Sequence, residues 1–184
     1  LVAGAAWAAD LAAAKPSPAL WRIRNGASTV YLLGSLHILP KDYAWTTPAI
    51  EAAMNEANRF VFEVPVNEAA LQEEKDFIVE NGLYRGRGQS LRGSLSVEEY
   101  RRYSATMRMA GFKAREFDRF RPWLASVMLG LAYLHRDDFT MLAGADETVL
   151  NFAQANGKAV AYLETPSEQM SLMMRGDERT QMKA

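Results

Sequence analysis

The pattern of hydrophobic and polar residues begins with two short strand-like stretches that predict a β-hairpin. Residues 21–24 and 29–36 are rich in branched and aromatic side chains, and Asn25 and Gly26 lie between them. An Asn-Gly pair flanked by such stretches is a strong signal for a tight hairpin turn. The second stretch is almost wholly apolar, which favours a central strand covered on both faces.

A helix and a further strand are predicted directly after this hairpin. Thr47 is a good N-cap and Pro48 suits the first helical position, so a helix should run to about Ala57. An apolar strand follows at residues 59–64, and another is predicted at 159–163. Strand, helix and strand in this order are typical of a βαβ unit, whose two strands lie parallel.

The remaining chain has the periodicity and capping signals of helices. These helices are expected at residues 67–80, 96–111, 123–134, 144–156 and from 165 onward. The segment 123–134 is the most apolar, which makes it the expected central packing helix. The pattern as a whole predicts an α/β fold, with a central, mostly parallel or mixed sheet flanked by helices and a helical middle segment.

Composition narrows the class of protein. At 184 residues and 20.5 kDa, with 49% hydrophobic residues, the chain fits one globular domain with a sizeable core. A net charge of -1 argues against a nucleic-acid partner, because neutralising phosphates needs a surplus of Lys and Arg. The chain contains no cysteine, so any metal would have to be held by His, Asp or Glu.

The first 19 residues have the composition of a signal-peptide remnant followed by a spacer, and residues 20–184 are the expected domain. Ala6, Trp7 and Ala8 match a small-x-small cleavage signal, and prolines follow at 16 and 18. An Ala-rich first helix is the alternative, since alanine has the highest helix propensity. The first interpretation predicts an exported protein of the periplasm or cell envelope, soluble or peripherally held at a membrane.

Three residues that could carry chemistry lie at predicted strand ends. His37 follows the second strand, Glu63 lies in the strand after it, and Glu164 ends the last strand. Open α/β sheets bind their ligands at the carboxyl edge, where these three side chains would meet. One imidazole with carboxylates is a reasonable half of a site for Mn, Fe, Co or Zn, but catalytic zinc normally takes three protein ligands.

Structural explanations remain open for the same residues. His37 could be a hydrogen-bonded histidine that ends a strand, and spacing alone favours that role over a ligand role. Glu63 could pair with Arg119 or Arg121 in a structural ion pair. The second histidine, His135, ends the apolar helix, where interaction with the helix dipole would explain it.

Several separated motifs resemble the TraB/GumN family, whose wider relatives include the Tiki membrane-tethered proteases. The matching segments are LWRIRNGASTVYLLGSLHILP, RFVFEVP, LSVEEY, FDRFRPW and GADETVLNFAQANGKAVAYLET with a following EQ. They occur in the family's order between about residues 20 and 174, which makes the resemblance more specific than any single motif.

The resemblance implies an α/β domain with two GxxH motifs, a glutamate and an arginine, a set that in the Tiki branch supports metal-dependent peptide cleavage. His37 is then the histidine of the first GxxH and a metal ligand. Glu63 is the acidic residue, as a metal ligand and catalytic group, and Arg119 is the catalytic arginine, with Arg121 close by. Asp146 also matches a family position, although the Glu after it departs from the residue type expected there.

The second GxxH motif does not occur in this sequence. We therefore expect an incomplete domain, either a fragment of a longer product or a truncated member, with half of the metal site and no activity alone. The leading hypothesis is an exported metal-dependent hydrolase, peptidase-like, that uses Mn, Co or Zn on a peptide or protein substrate. A non-catalytic peptide-binding, regulatory or polysaccharide-export protein is the alternative, and an incomplete domain that aggregates through exposed core is a third possibility.

Overall fold

A computed structural model of the protein describes residues 17–136 and 139–181, without the side chains of His135, Arg136 and Thr180. Most of the expected signal-peptide remnant, including its cleavage signal, lies outside the described residues. The described chain divides into two compact units. The first consists of the residues up to Phe60 together with Phe139–Val160, and the second begins at Val61 and resumes at Ala161.

The first unit opens with the predicted hairpin. Strands β1 (Leu20–Asn25) and β2 (Ser28–Leu33) pair antiparallel, and Gly26 occupies the turn with a φ of 58°. That backbone conformation is open to glycine and strained for most other residues. The hairpin prediction is therefore confirmed.

The expectation that β2 is a central strand is wrong within the described residues. β2 pairs there with β1 alone, and the side chains of Val30 and Leu32 are each 51% exposed. The tight turn supplies β1 as a local partner, so an apolar sequence did not require burial on both faces. β2 also ends at Leu33, which places Gly34 after the strand rather than inside it.

The core of the first unit is formed by two helices. α1 (Pro48–Glu56) starts as predicted, because the Thr47 side chain accepts a hydrogen bond from the Ile50 N–H. The second is α6 (Ala145–Ala155), numbered by its place in the chain. The buried residues of this unit include Leu39, Trp45, Ile50, Met54, Val149 and Leu150. A short antiparallel pair, β3 (Leu39–Pro40) with β5 (Phe139–Thr140), completes the unit.

The strand pair β4 (Arg59–Phe62) and β6 (Ala159–Tyr162) is parallel. The Ala159 N–H donates to the Asn58 carbonyl and the Leu163 N–H donates to the Phe62 carbonyl, so partner numbers rise together along both strands. The predicted βαβ unit joined β2 to the strand at 59–64, whereas β4 takes its partner from the far end of the chain.

The second unit is mainly helical, as predicted for the middle of the chain. In chain order its helices are α2 (Glu68–Asn81), α3 (Leu91–Ser94), α4 (Val97–Met109), α5 (Pro122–Arg136), α7 (Pro166–Met173) and α8 (Glu178–Gln181). A 3-10 turn, Ala114–Phe117, precedes α5. The predicted capping boxes at Ser96 and Thr165 are both present.

The core of the second unit lies between α4 and the start of α5. Its buried residues are Tyr84, Leu91, Met107, Phe117 and Ala125, with Trp123 and Leu124 also buried. Further along α5, Met128, Leu131 and Leu134 are each 37% exposed. The start of α5 thus packs as the sequence predicted, while its later turns are partly open to solvent.

The mixed α/β class is confirmed, with three separate two-stranded sheets among the described residues in place of one continuous sheet. Two of these sheets are antiparallel and one is parallel, so the strands are mixed in direction. Within the part of the chain that the structure describes, no helix is both long enough and apolar enough to cross a membrane.

Candidate functional site

The residues predicted to carry chemistry are divided between the two units. His37 and Asp146 belong to the first unit, whereas Glu63, Glu164 and Arg119 belong to the second. Within its own unit, each of the two predicted metal ligands contacts a polar partner that fixes its side chain.

His37 lies in a polar cluster with Asp146 and Ser35. The His37 Nδ1 atom is 2.7 Å from Asp146 Oδ2, and the Ser35 hydroxyl donates to the same carboxylate oxygen over 2.5 Å. The side chain of His37 is 55% exposed and that of Asp146 is 26% exposed. His37 is therefore a surface histidine with a partly shielded carboxylate behind it.

The start of α6 brings Asp146 to His37. The Ala145 N–H donates to the Leu36 carbonyl over 2.8 Å, which joins the first turn of the helix to the loop after β2. A Cβ atom on Gly144 would overlap the His37 carbonyl oxygen and lie 2.8 Å from its carbonyl carbon. Because Asp146 lies in the first helical turn, the helix dipole also stabilises its negative charge.

The glycine that permits a close approach is thus Gly144 rather than Gly34. A Cβ atom on Gly34 would lie 3.6 Å from the Ala19 backbone, which is ordinary van der Waals contact. Gly34 lies inside the strand predicted at residues 29–36, and a glycine inside a strand can mark a close backbone approach. Gly34 instead extends the hairpin, since its N–H donates to the Ala19 carbonyl over 2.8 Å.

Glu63 lies directly after β4, not within it as predicted, and is exposed. The Gln169 side-chain amide on α7 donates to Glu63 Oε2 over 3.0 Å. The backbone N–H of Glu164 donates to the Glu63 carbonyl over 2.9 Å, so the two predicted carboxylate residues are neighbours across the strand ends. This part of the predicted arrangement is present in the second unit.

The helix that carries Gln169 is tied to α2 by Glu73. The Ser167 N–H at the start of α7 donates to Glu73 Oε1 over 3.1 Å. Hydrogen bonds from the Ser167 side chain and backbone hold the pKa of the Glu73 carboxyl below its ordinary value of 4.5. Glu73 is therefore a charged contact that helps to place the helix beside Glu63.

The two candidate arginines differ in their surroundings. Arg121 Nη1 lies 3.0 Å from Glu178 Oε1, and its guanidinium lies 5.4 Å from the centre of the Tyr84 ring. Those contacts give Arg121 a structural role in packing α8. The side chain of Arg119 is exposed, while its backbone carbonyl accepts a hydrogen bond from the Tyr84 N–H. This difference favours Arg119 as the arginine with a chemical role.

His37 and Glu63 each carry a type of donor atom that divalent metals accept. Metal-binding histidines usually donate their other ring N–H to a carboxylate, and ligating carboxylates are themselves hydrogen-bonded. Asp146 and Gln169 are partners of these two kinds. Across residues 17–136 and 139–181, no group of three or more His, Asp and Glu side chains comes together as a set of metal ligands.

Two partners in these clusters were not predicted from the sequence. Ser35 carried no motif of its own, although its position two residues before His37 could have suggested a shared role. Gln169 was noted only within the matching EQ segment. The side chain of His135 lies outside the described residues, so its expected helix-dipole role stays a prediction.

The fold is mixed α/β, with a histidine in the loop after β2 and a glutamate directly after β4. A family model described as the TraB/PrgY/gumN family matches residues 19–184. The chain belongs to the TraB/PrgY/gumN family, and the resemblance found in its motifs is thereby confirmed. No curated protein and no solved structure was found to match it.

Proposed function

We propose that the protein is an exported metal-dependent hydrolase of the peptidase type. In this proposal His37 and Glu63 bind a divalent metal such as Mn, Co or Zn, and Arg119 binds an anionic group of the substrate or of the transition state. Family membership supports the class of protein, and the signal-like composition of residues 1–19 supports export.

The setting of His37 is the observation that carries the proposal. The His37 side chain is 55% exposed, so it is accessible to a ligand from solvent. Its Nδ1 atom contacts Asp146, and a carboxylate partner of this kind is common for metal-binding histidines. The exposed side chain and the contact with Asp146 together favour a ligand-binding role for His37 over a purely structural role.

Glu63 and Arg119 support the same function from the second unit. The Glu63 carboxylate is exposed at a strand end and is oriented by the Gln169 amide. Arg119 presents an exposed guanidinium, which suits a peptide carboxylate or a developing oxyanion. When bound, a divalent metal would polarise a carbonyl group and lower the pKa of a bound water.

Metal titration of the purified protein tests the proposal. We expect the wild type to bind cobalt or zinc, and we expect His37→Ala to lose most of that binding because an imidazole donor has been removed. His135→Ala removes the other histidine of the sequence and is the matched control, with metal binding close to that of the wild type. Unchanged metal content in His37→Ala would contradict the proposed ligand role.

Peptide cleavage separates a hydrolase from a binding protein. In a longer product that carries a second GxxH motif, we expect hydrolysis of a peptide library that stops on chelation and returns when cobalt or zinc is added, and that falls in Arg119→Ala. Binding of intact peptides by metal-free protein, with an affinity that His37→Ala does not change, would instead favour the non-catalytic alternative.

A further inference from the structure

The contact between His37 and Asp146 bears on the orientation and the tautomer of the imidazole ring. We propose that Asp146 is a positioning residue, which holds His37 with its proton on Nδ1, the tautomer in which Nε2 carries the lone pair that a divalent metal would need. This inference rests on the proposed function, since it names the residue that prepares one of the proposed ligands.

The distance between His37 and Asp146 locates a proton on the ring. Nδ1 lies 2.7 Å from Asp146 Oδ2, and two lone pairs at that distance would repel each other. A neutral imidazole has one N–H and one acceptor nitrogen. With the proton on Nδ1, the acceptor lone pair is on Nε2, which is the form of histidine that binds metals.

Asp146 is itself held in place from two sides. The Ser35 hydroxyl donates to Oδ2, the oxygen that also faces His37, over 2.5 Å. The backbone bond from Ala145 to Leu36 and the tight contact of Gly144 with the His37 carbonyl fix the first turn of α6 beside this loop. A carboxylate anchored in this way can restrict the rotation of the imidazole.

The arrangement differs from that of a serine hydrolase. In a catalytic triad the histidine lies between the serine and the carboxylate and takes the hydroxyl proton. Here the Ser35 hydroxyl and the His37 Nδ1 atom both face Asp146 Oδ2, so the serine proton is directed to the carboxylate. Ser35 therefore orients Asp146 and is not activated by His37 as a nucleophile.

The test uses Asp146→Asn, with Glu147→Gln as the matched control. Both substitutions remove one negative charge from the first turn of α6, but the Glu147 side chain accepts a hydrogen bond from Asn151 on its own helix. The first measurement is the tautomer of the neutral His37 ring, by NMR of its ring nitrogens in the metal-free protein. The second is the Kd for zinc, by competition with a chelating dye.

We expect Asp146→Asn to shift the neutral ring toward the form with its proton on Nε2, and to weaken zinc binding by about 10–100-fold. Ser35→Ala should have a smaller effect in the same direction, because Asp146 would remain but be less restrained. Glu147→Gln should leave the tautomer unchanged and the zinc Kd near that of the wild type.

The outcomes separate this inference from the proposed function. If Asp146→Asn leaves both the tautomer and the zinc Kd equal to those of Glu147→Gln, the positioning role is overturned. If the wild type binds no zinc, the proposed function fails, while the tautomer of the metal-free variants still decides the role of Asp146. If Asp146→Asn does not fold, the tautomer of His37 and the zinc Kd are measured in Ser35→Ala instead. If both are unchanged from the wild type, the positioning role of Asp146 is rejected.

Discussion

At the scale of single residues, the candidate site depends on how closely two backbone segments approach. The loop that carries His37 passes so near the start of α6 that Gly144 is the residue type that fits there. Its φ of −57° is open to any L-residue, so the requirement comes from space and not from backbone conformation. The same contact places Asp146 beside His37.

Gly144→Ala should therefore destabilise the protein. The added methyl group would overlap the His37 carbonyl oxygen, which is backbone and cannot rotate away as a side chain could. Overpacking of this kind typically lowers the free energy of unfolding by about 1–3 kcal/mol. Urea denaturation measures the change, and zinc titration of the same variant reports whether His37 has been displaced.

Gly130→Ala is the control for Gly144→Ala. Gly130 lies within α5, and a Cβ atom there would meet nothing within 4 Å. Alanine in an exposed helix interior is favoured over glycine by roughly 0.5–1 kcal/mol, so this variant should be slightly more stable than the wild type. If Gly144→Ala were as stable as Gly130→Ala, the loop that carries His37 would have to be able to move away from the start of α6.

At the scale of secondary-structure elements, the features set by neighbouring residues were predictable. The hairpin turn at Gly26 and the helix caps at Thr47, Ser96 and Thr165 use bonds within a few residues, and each is present. Strand partners were not predictable in this way. β4 takes its partner from a segment far along the chain, and local sequence does not encode which strand that will be.

The contact between α2 and α7 should respond to pH through Glu73. Its pKa is lowered in the folded protein by hydrogen bonds from Ser167, so its charged form stabilises the fold above the unfolded pKa. That stability should be lost as the pH falls past the ordinary value of 4.5 and on through the folded pKa. Glu73→Gln should therefore lose less stability on acidification than the wild type, by urea denaturation at a series of pH values.

Glu74 offers a control with the opposite sign. Burial, and then the charge of Glu73, raise the pKa of the Glu74 carboxyl above 4.5. Protonation of Glu74 therefore favours the folded state as the pH falls, and Glu74→Gln should lose more stability on acidification than the wild type. If the two variants changed in the same direction, the Ser167 contact would not be the source of the effect.

At the scale of the whole molecule, the pattern of apolar residues predicted the class of fold but not its distribution of burial. The apolar β2 strand has exposed residues, whereas Met107, in a helix of mixed composition, is completely buried. The bond between Ser35 and Asp146 joins residues 111 positions apart, so their contact depends on tertiary packing. Sequence motifs could name His37 as a candidate, but its supporting residues required the three-dimensional structure.

Met107→Ala tests where the stability of the second unit resides. Met107 is 0% exposed and packs with Tyr84, Leu91, Phe117 and Ala125. Removing a buried Met side chain leaves a cavity and typically lowers the free energy of unfolding by about 2–5 kcal/mol. Met109→Ala is the control on the same helix, because Met109 is 67% exposed and surface substitutions usually change stability by less than about 0.5 kcal/mol. Urea denaturation of both variants gives the comparison. If Met107→Ala lowers the free energy of unfolding as little as Met109→Ala does, the cluster around Met107 contributes little to the stability of the fold. In that case α4 must be able to repack and fill the cavity.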